Sequence, residues 1–488
     1  MATTDRAVNG PHLARLLGAW RSSRPAYVAL AAAIRLLVLD GRLPLRTRLP
    51  GERDLAAAAG VSRTTAAAAY ASLRDEGFLT SRRGAGSWTT LPADRAGDPG
   101  AALREPAGDG DGVIDLSAAA TAAPEGALHR ALAAATAQLP RHLPGPGYEA
   151  AGLPELRAAV AAHLTRRGAP TAPEQVLVTA GAMHALTLVL RLLTGPGDRV
   201  VVDHPTYPNA IDAVRAVGAR PVPVALLDHG WDVDMLAATM RQAAPRLAYL
   251  IADHHNPTGL TLGAREREAV VALARDTRTV LVVDETMAEL HLEPDAPAPP
   301  PVAAHDPGGE TVVAIGSMSK AFWAGLRIGW IRASPTVVQR LTLARQTVDM
   351  ASPVVEQLVA AELLADPEPV LATQRAMLRA RRDALAAALD ATLPGWSFAV
   401  PTGGLSLWVD LGVPRSSALA AVADRHGVRL AAGPRFGLDG AFERRLRLPF
   451  NLPEPVLAEA VERLAVAWRA VAGEERAPGA AADAPLVA

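Results

Sequence analysis

Residues 314–320 read Ala-Ile-Gly-Ser-Met-Ser-Lys, and residues 325–330 read Gly-Leu-Arg-Ile-Gly-Trp. Of the 49 lysine and arginine residues in this 488-residue chain, only one, Lys320, is lysine. Arginine serves wherever only a positive charge is needed, but its guanidinium stays protonated and cannot form a Schiff base. Lys320 is therefore a candidate for imine chemistry. The alternative is that one lysine survived by chance.

The neighbours of Lys320 favour the chemical interpretation. Ser317 and Ser319 precede the amine and Arg327 follows it, a set of groups that suits a phosphate beside an aldehyde. The segment resembles the lysine motif of fold-type-I enzymes that use pyridoxal 5′-phosphate (PLP), the class I and II aminotransferases. The resemblance implies that Lys320 holds PLP as a Schiff base and that Ser317, Ser319 and Arg327 bind the cofactor.

A second segment indicates an anion site. Residues 176–179 predict a short strand, and a glycine turn then opens an apolar helix that extends to about residue 193. A turn of this kind exposes backbone N–H groups to an anion. In the resemblance, Gly181, Ala182 and Met183 of this turn bind the cofactor phosphate.

Three more residues follow in the order that the resemblance requires. Tyr207 would stack on the pyridine ring and Asn256 would bind the phenolic oxygen. Asp284 ends the apolar run 280–283, at the strand end that faces the ligand crevice of α/β folds, and an ionised Asp284 would keep the pyridine nitrogen protonated. The family usually has a tyrosine three residues later, where this chain has Met287. One hydrogen bond to the cofactor is then missing, which argues against efficient transamination.

The C-terminal part completes the resemblance. Residues 403–409 and 446–451 resemble the small-domain strands of aminotransferases, and Arg447 is the candidate that binds the carboxylate of a substrate or effector. The alternative is an ordinary surface arginine, since arginines 444 and 445 lie beside it. Tyr148 matches a tyrosine that reaches the cofactor phosphate of the partner subunit. The resemblance therefore implies a homodimer, arranged head-to-tail, with shared sites.

The first 90 residues differ in charge from the remainder. Residues 11–90 contain 12 arginines and five acidic residues, a net charge of +7, whereas the whole chain has a net charge of −1. A compact basic module suggests a polyanionic partner. The alternative is a solvated basic face.

The helix pattern of this basic module favours a polyanionic partner over a solvated basic face. Residues 27–39 predict an amphipathic helix, a second helix begins near residue 48, and Ser62 is a natural N-cap for a third that ends near residue 75. Residues 76–88 predict a β-hairpin wing. The glycine turn between the second and third helices gives helix-turn-helix spacing, which brings Arg63 to guanine edges in the major groove and Ser62 and Thr64 to phosphate or base.

Residues 48–65 resemble the signature of the GntR-family winged helix, with Gly51 where serine is usual. A GntR winged helix in front of an aminotransferase-like domain resembles the MocR subfamily of transcriptional regulators. The DNA contacts that the resemblance implies are Arg53, Ser62, Arg63, Thr64, Thr65, Arg83 and Gly84.

We therefore predict a multidomain fold. A winged helix-turn-helix domain (α+β) occupies residues 1–92, a flexible linker 93–112, and an α/β fold-type-I PLP-dependent transferase domain 113–472. The second domain is expected to have a mostly parallel sheet and a smaller C-terminal α/β subdomain. Residues 473–488 form a tail that we expect to be disordered.

Composition narrows the possible classes of protein. The absence of cysteine excludes disulfides and thiolate metal sites, and the sequence has no long apolar run and a polar N-terminus. We expect a cytoplasmic protein without a membrane partner. Two adjacent histidines, His254 and His255, would point in opposite directions on an extended segment, so no metal site is predicted.

The predicted function is that of a PLP-dependent, DNA-binding transcriptional regulator. Its partners would be double-stranded operator DNA and an effector that is an amine, an amino acid or PLP itself. The alternative is an amino-acid aminotransferase with a vestigial DNA-binding module.

Overall fold

The computed structural model describes residues 6–18, 20–21, 25–39, 43, 45–82, 86–90 and 112–473. Three predictions fall outside these ranges. They concern residues 93–111 of the linker, the tail from residue 474 onward, and the wing contacts Arg83 and Gly84.

The N-terminal domain contains four helices and a four-stranded sheet in the order β1-β2-β4-β3, counted over its described residues. Its elements are β1 (Arg6–Ala7), α1 (Gly10–Leu17), α2 (Ala26–Leu39), β2 (Thr47–Arg48), α3 (Glu52–Ala59), α4 (Arg63–Asp75), β3 (Leu79–Arg82) and β4 (Gly86–Thr89).

Helix α4 buries one face and leaves the other accessible. Ala66, Ala69, Tyr70 and Leu73 follow helical spacing and are buried in a core shared with α2 and α3. The Tyr70 hydroxyl donates to the carbonyl of Pro50 at 2.8 Å, which fixes α4 against the start of α3. The sequence predicted α2, α3, α4 and the hairpin, but not α1 or the two-residue strands β1 and β2.

The larger domain begins with a strand that joins the C-terminal sheet. Its elements are β5 (Ile114–Leu116), α5 (Glu125–Gln138), α6 (Pro154–Arg166), β6 (Val176–Thr179), α7 (Ala182–Leu193), β7 (Arg199–His204), α8 (Pro208–Ala216), β8 (Arg220–Leu227), β9 (Gly230–Trp231), α9 (Val233–Ala243), β10 (Leu247–Leu250), α10 (Ala264–Thr277), β11 (Val280–Asp284), β12 (Val312–Ser317), β13 (Gly329–Arg332), α11 (Pro335–Arg345), α12 (Val354–Ala365), α13 (Glu368–Thr392), β14 (Ser406–Asp410), α14 (Ser416–Arg425), β15 (Val428–Ala432), β16 (Arg445–Pro449) and α15 (Glu454–Gly473).

The large sheet has eight strands in the order β6-β13-β12-β11-β10-β7-β8-β9. Strands β12, β11, β10, β7 and β8 are parallel to their neighbours in this series, whereas β13 is antiparallel to both β12 and β6. The strands of its centre are apolar and fully buried, as expected for a parallel sheet that is covered by helices on both faces. The predicted mostly parallel sheet is confirmed.

The small sheet has the order β14-β16-β15-β5. Strand β16 is antiparallel to β14, with Trp408 opposite Arg447, and antiparallel to β15. The carboxyl ends of β11 and β12 bring Asp284 and Ser317 to the same edge of the large sheet, where β16 of the small sheet presents Arg447. A crevice between the two sheets is thereby formed.

No helix in the described part of the chain is long and apolar enough to cross a membrane.

Candidate functional site

A cavity of about 260 Å³ lies between the two sheets. It is lined by residues from distant parts of the chain, which the fold brings together. Those that the sequence predicted are Ala182, Met183, Tyr207, Asn256, Asp284, Ser317, Ser319, Lys320, Arg327 and Arg447. Gly181 adjoins the cavity at the start of α7, and Met287 also lines it.

Lys320 lies in a π-helical turn, Ser319–Trp323, that follows β12. Single π turns are frequent at functional sites. The Nζ of Lys320 donates a hydrogen bond to the carbonyl of Ala119 at 2.6 Å. Burial, followed by the nearby Arg447 guanidinium, lowers the pKa of Lys320 from 10.5 to about 8. An amine with this pKa is partly neutral near pH 8, which is the form that attacks a carbonyl.

An anion-binding cradle lies beside this lysine. Gly181 has φ +87° and is the N-cap residue of α7. The first two residues of α7, Ala182 and Met183, line the cavity, and the N–H groups of a helix start suit an anion. A Cβ atom at Gly181 would lie 2.8 Å from Arg327 Nη2, so only glycine allows the guanidinium to approach this turn. Arg327 Nη2 donates to the carbonyl of Ala180 at 3.1 Å. Ser317 and Ser319 add two hydroxyls, which are 2.9 Å apart.

Asp284 is held as an acceptor at the end of β11. Its Oδ2 accepts a hydrogen bond from the Tyr249 hydroxyl at 2.7 Å, and its Oδ1 accepts one from the backbone N–H of Thr286 at 2.9 Å. Burial and the adjacent Asp284 charge raise the pKa of Tyr249 well above 10.0, so Tyr249 remains a donor. Tyr249 was not predicted as a site residue. It is a single tyrosine within the apolar run of β10, and such a residue belongs to no recognisable motif.

Arg447 is buried among polar and aromatic groups. Its Nη2 donates to the carbonyl of Ser117, its Nη1 is 3.5 Å from Asn256 Oδ1, and the guanidinium lies 4.9 Å from the centre of the Phe436 ring. Its buried Nε has no hydrogen-bond partner among the described residues. Burial, followed by Arg435, lowers the pKa of Arg447 to about 10. Such a guanidinium is available to an anion that enters the cavity.

Tyr207 also lines the cavity, and its hydroxyl accepts a hydrogen bond from Asn209 Nδ2 at 3.0 Å. Asn209 and Arg435 line the cavity but were missed by the sequence analysis. Asn209 lies two residues after Tyr207 but has no role in the resemblance, and Arg435 lies in a segment with no recognisable motif. Residues 117–120 also line the cavity without a sequence signal.

Tyr148 is not part of this cavity. Its side chain is 65% exposed in the single chain. This location is compatible with the predicted role in a partner subunit, which remains a prediction.

His254 has φ +43°, so the segment that contains His254 and His255 is not extended as predicted, and the two rings contact different residues. His254 Nδ1 is 3.2 Å from the Thr261 hydroxyl and its ring stacks on His291, whereas the His255 ring packs against Trp231. Burial lowers the pKa of His255 to about 3. In the described part of the chain no three potential ligands are grouped in a way that suits a metal ion.

The start of α4 is exposed and basic. The Arg63 side chain is 73% exposed, and its Nε lies 4.0 Å from Glu52 Oε2. The Ser62 hydroxyl accepts from the backbone N–H of Thr65 at 3.0 Å and lies 3.0 Å from the Thr64 hydroxyl. Ser62 is therefore the N-cap of α4, as predicted. Arg53, at the start of α3, is also exposed.

Comparison with known proteins identifies both domains. Residues 113–464 match the family described as aminotransferase class I and II, and residues 26–88 match the bacterial regulatory proteins of the gntR family. The crystal structure of LysN, an alpha-aminoadipate aminotransferase from Thermus thermophilus complexed with N-(5′-phosphopyridoxyl)-L-leucine, shares 28% identity with this chain. That similarity covers 75% of this chain and 94% of LysN, with a TM-score of 0.69.

Other relatives match along almost the whole chain. The HTH-type transcriptional regulator TauR of Rhodobacter capsulatus is 30% identical over 465 residues, which are 88% of this chain and 94% of TauR. The HTH-type transcriptional regulator YisV of Bacillus subtilis is 26% identical over 89% of this chain and 95% of YisV. The chain belongs to the MocR-like transcriptional regulators of the GntR family, in which a winged helix-turn-helix domain precedes a class I and II aminotransferase domain. The predicted family is confirmed.

Proposed function

We propose that this regulator binds operator DNA through α4 and senses an amine or an amino acid through PLP held at Lys320. The observation that carries the proposal is the combination of an exposed Arg63 at the start of α4 with a buried amine in an anion-binding cavity. The first group suits base recognition in the major groove, and the second suits a carbonyl cofactor.

The cavity residues fit PLP. Lys320 would hold the aldehyde carbon, the start of α7 with Arg327 and the two serines would hold the phosphate, and Tyr207 would lie against the ring. Asp284, which accepts from Tyr249, would hold the ring nitrogen. Bound PLP supplies an electrophilic carbon that primary amines attack. Arg447 would orient the carboxylate of an incoming amino acid.

Several exposed apolar side chains support a homodimer. Leu143 and Tyr148 are 67% and 65% exposed, and Leu343 and Met350 are 61% and 49% exposed. The two segments lie near each other, because Arg345 Nη1 donates to the carbonyl of Ala150 at 3.1 Å and a Cβ at Gly147 would be 3.6 Å from Val354. A second copy of the chain would cover this apolar surface and bring its own Tyr148 to the neighbouring site.

Effector binding must favour one arrangement of the dimer to alter operator affinity, since a ligand with equal affinity for two states shifts nothing. We propose that the change in occupancy at Lys320 alters the relative placement of the two winged helices. The protein would act in the cytoplasm, where bacterial operator DNA is found.

Catalysis is the second candidate function, and one observation favours it. Lys320, Asp284 and Arg447 all line the same cavity, so the groups for a half-transamination are together. Met287 lines the cavity where the aminotransferase tyrosine is expected and cannot donate a hydrogen bond. Repeated turnover with an amino acid and a keto acid would favour an enzyme; one slow turnover would favour a sensor.

Fluorescence anisotropy tests the proposed function. The full-length protein would be titrated onto the DNA upstream of its own gene and onto DNA that it selects from a random pool, with and without PLP, at fixed salt. We expect specific binding whose affinity changes with PLP or with PLP plus an amino acid. Specific binding that responds to neither would contradict the sensing proposal, while a lack of specific binding would contradict the operator assignment.

Replacing Arg447 by alanine should weaken the response to amino acids while leaving PLP bound, because Arg447 is expected to bind the carboxylate. A lost charge-assisted hydrogen bond corresponds to about 1.5–3 kcal/mol. Absorbance titrations of the PLP-loaded variant would measure the loss of affinity for the amino acid. The decarboxylated amine is the control, and its affinity should not fall. An unaltered affinity for the amino acid would show that another residue binds the carboxylate.

The pH dependence of PLP binding should follow Lys320. Because its pKa is lowered to about 8, the neutral amine accumulates as pH rises through about 8, and PLP should bind faster above this pH than below it. Rates of appearance of the visible band from about pH 6 to about pH 10 would measure the midpoint. In Arg447→Ala the midpoint should rise, since a nearby positive charge is removed. A midpoint near 10.5 in the unmodified protein would contradict the prediction.

A further inference from the structure

Arg435 is a cation in the cavity that the proposed function leaves unused. It lies in the turn Gly433–Phe436, which follows β15, and it lines the cavity together with Arg447. Its side chain is half-buried. Among the described residues no hydrogen bond or ion pair joins its guanidinium to another group.

The neighbouring arginines show what an ordinary structural arginine does in this region. Arg444 pairs with Asp410 at 3.0 Å, and Arg445 pairs with Asp228 at 2.9 Å. The carboxylate that most influences Arg435 is Asp212, but Asp212 is exposed and already lies 3.6 Å from Arg215. Arg435 thus has no dedicated partner in the described part of the chain, although burial lowers its pKa.

The charges that line the cavity are strongly unbalanced. Four side chains are basic, Lys320, Arg327, Arg435 and Arg447, and one is a carboxylate, Asp284, which gives four minus one, or +3, when Lys320 is protonated. Cations gathered in one cavity repel each other and lose hydration, so they are held at a cost in stability unless anions enter. The cavity is built for anionic occupants.

These cations can be matched to occupants one by one. Arg327 lies beside Gly181 on the side of the large sheet, where the cofactor phosphate is proposed to bind. Arg447 lies on the small sheet and is proposed to bind a carboxylate. Arg435 directly precedes Phe436, over whose ring the Arg447 guanidinium packs at 4.9 Å, and, after burial, the charge of Arg435 contributes to the lowered pKa of Arg447. Arg435 therefore lies in the same cavity as Arg447, close enough for the two charges to interact.

We propose that Arg435 binds a second acidic group, so that the cavity selects amino acids whose side chain ends in an anion. This inference rests on the proposed function, since it needs an amino acid to be sensed at Lys320. The recognised class is dianionic amino acids, with Arg447 on the α-carboxylate and Arg435 on the acidic side chain. Neutral amino acids would leave the Arg435 guanidinium without a partner in the cavity.

Matched pairs of amino acids test the proposal. The PLP-loaded, full-length protein would be titrated with glutamate and glutamine, and with aspartate and asparagine, following the absorbance of the bound cofactor. Each pair differs in charge but hardly in shape. We expect the acid of at least one pair to bind about 10-fold to about 100-fold more tightly than its amide.

Substitutions then assign this preference to Arg435. In Arg435→Gln the acid should bind no more tightly than the amide, while affinity for the amide changes by less than about threefold. Arg435→Lys should recover part of the preference, because it restores the charge but not the two-pronged geometry. Arg425→Gln, which alters an exposed arginine at the end of α14, is the matched control and should keep the full preference.

The outcomes separate this inference from the proposed function. If amides and acids bind equally well, or if Arg435→Gln keeps the preference or weakens both ligands equally, the Arg435 assignment is wrong and amino-acid sensing stands. If no amino acid of either kind changes the absorbance, sensing at Lys320 and the Arg435 assignment are both wrong.

Discussion

Replacing Lys320 by alanine is expected to abolish the visible absorption band that PLP gives when it is bound to this protein. The reason is covalent, because Lys320 is the only lysine in the chain and no other side chain can form the imine. Absorbance spectra after incubation with PLP and removal of the excess would measure it. Borohydride reduction and mass spectrometry should attach the cofactor to the peptide that contains Lys320 and to no other.

The matched control is Lys320→Arg, which keeps a positive charge next to Ala119 but cannot condense with an aldehyde. It should lose the band as completely as the alanine variant does. The fluorescence of non-covalently bound PLP would show whether the cavity itself is intact in both variants. A visible band that persists in either variant would place the cofactor elsewhere, with the chain's α-amino group as the remaining candidate.

Replacing Arg63 by alanine is expected to weaken operator binding by about 1–3 kcal/mol, or about 5-fold to about 150-fold. Arg63 is exposed at the first position of α4, where a bidentate guanidinium would be expected to reach the edge of a guanine. Anisotropy titrations on DNA that the unmodified protein has selected from a random pool would measure the change, at one salt concentration for all variants.

Arg53→Ala is the informative comparison. Arg53 is exposed at the start of α3, where a phosphate contact is expected, so its loss should weaken binding to specific and unrelated DNA alike and reduce the salt dependence. Arg63→Ala should instead lower the preference for the selected sequence. Equal affinity of Arg63→Ala and the unmodified protein for the selected DNA would overturn the assignment of α4 as the recognition helix.

Local sequence patterns predicted much of the fold for identifiable reasons. The buried spacing of Ala66, Ala69, Tyr70 and Leu73 defines α4, and Ser62 begins it. The runs at residues 176–179 and 280–283 are mostly apolar because helices cover both faces of this sheet, so its strands are buried. The two-residue strands β1 and β2 were missed, since they exist only through pairing with distant residues.

Some residues of the candidate site could likewise be predicted from the sequence, and others could not. Residues within motifs, such as Lys320 and Asp284, were found because the chemistry requires that residue type at that point. Tyr249 and Arg435 were missed because their roles depend on contacts made across long stretches of sequence. Tyr249 meets Asp284 only where β10 and β11 lie side by side, and Arg435 enters the cavity only because β15 belongs to the small sheet.

The arrangement of the cavity has a consequence for the size of an effector. Ser317 ends β12 of the large sheet, and Lys320 and Arg327 lie in the connection from β12 to β13. Arg447 lies in β16 of the small sheet, and Arg435 lies in the turn that follows β15 of that sheet. An amino acid whose amine takes the place of Lys320 on PLP and whose acidic groups bind the two arginines would span the gap between the sheets. The length of its side chain would then set the distance between the two sheets. Effectors with longer or shorter side chains would therefore hold the two sheets at different distances.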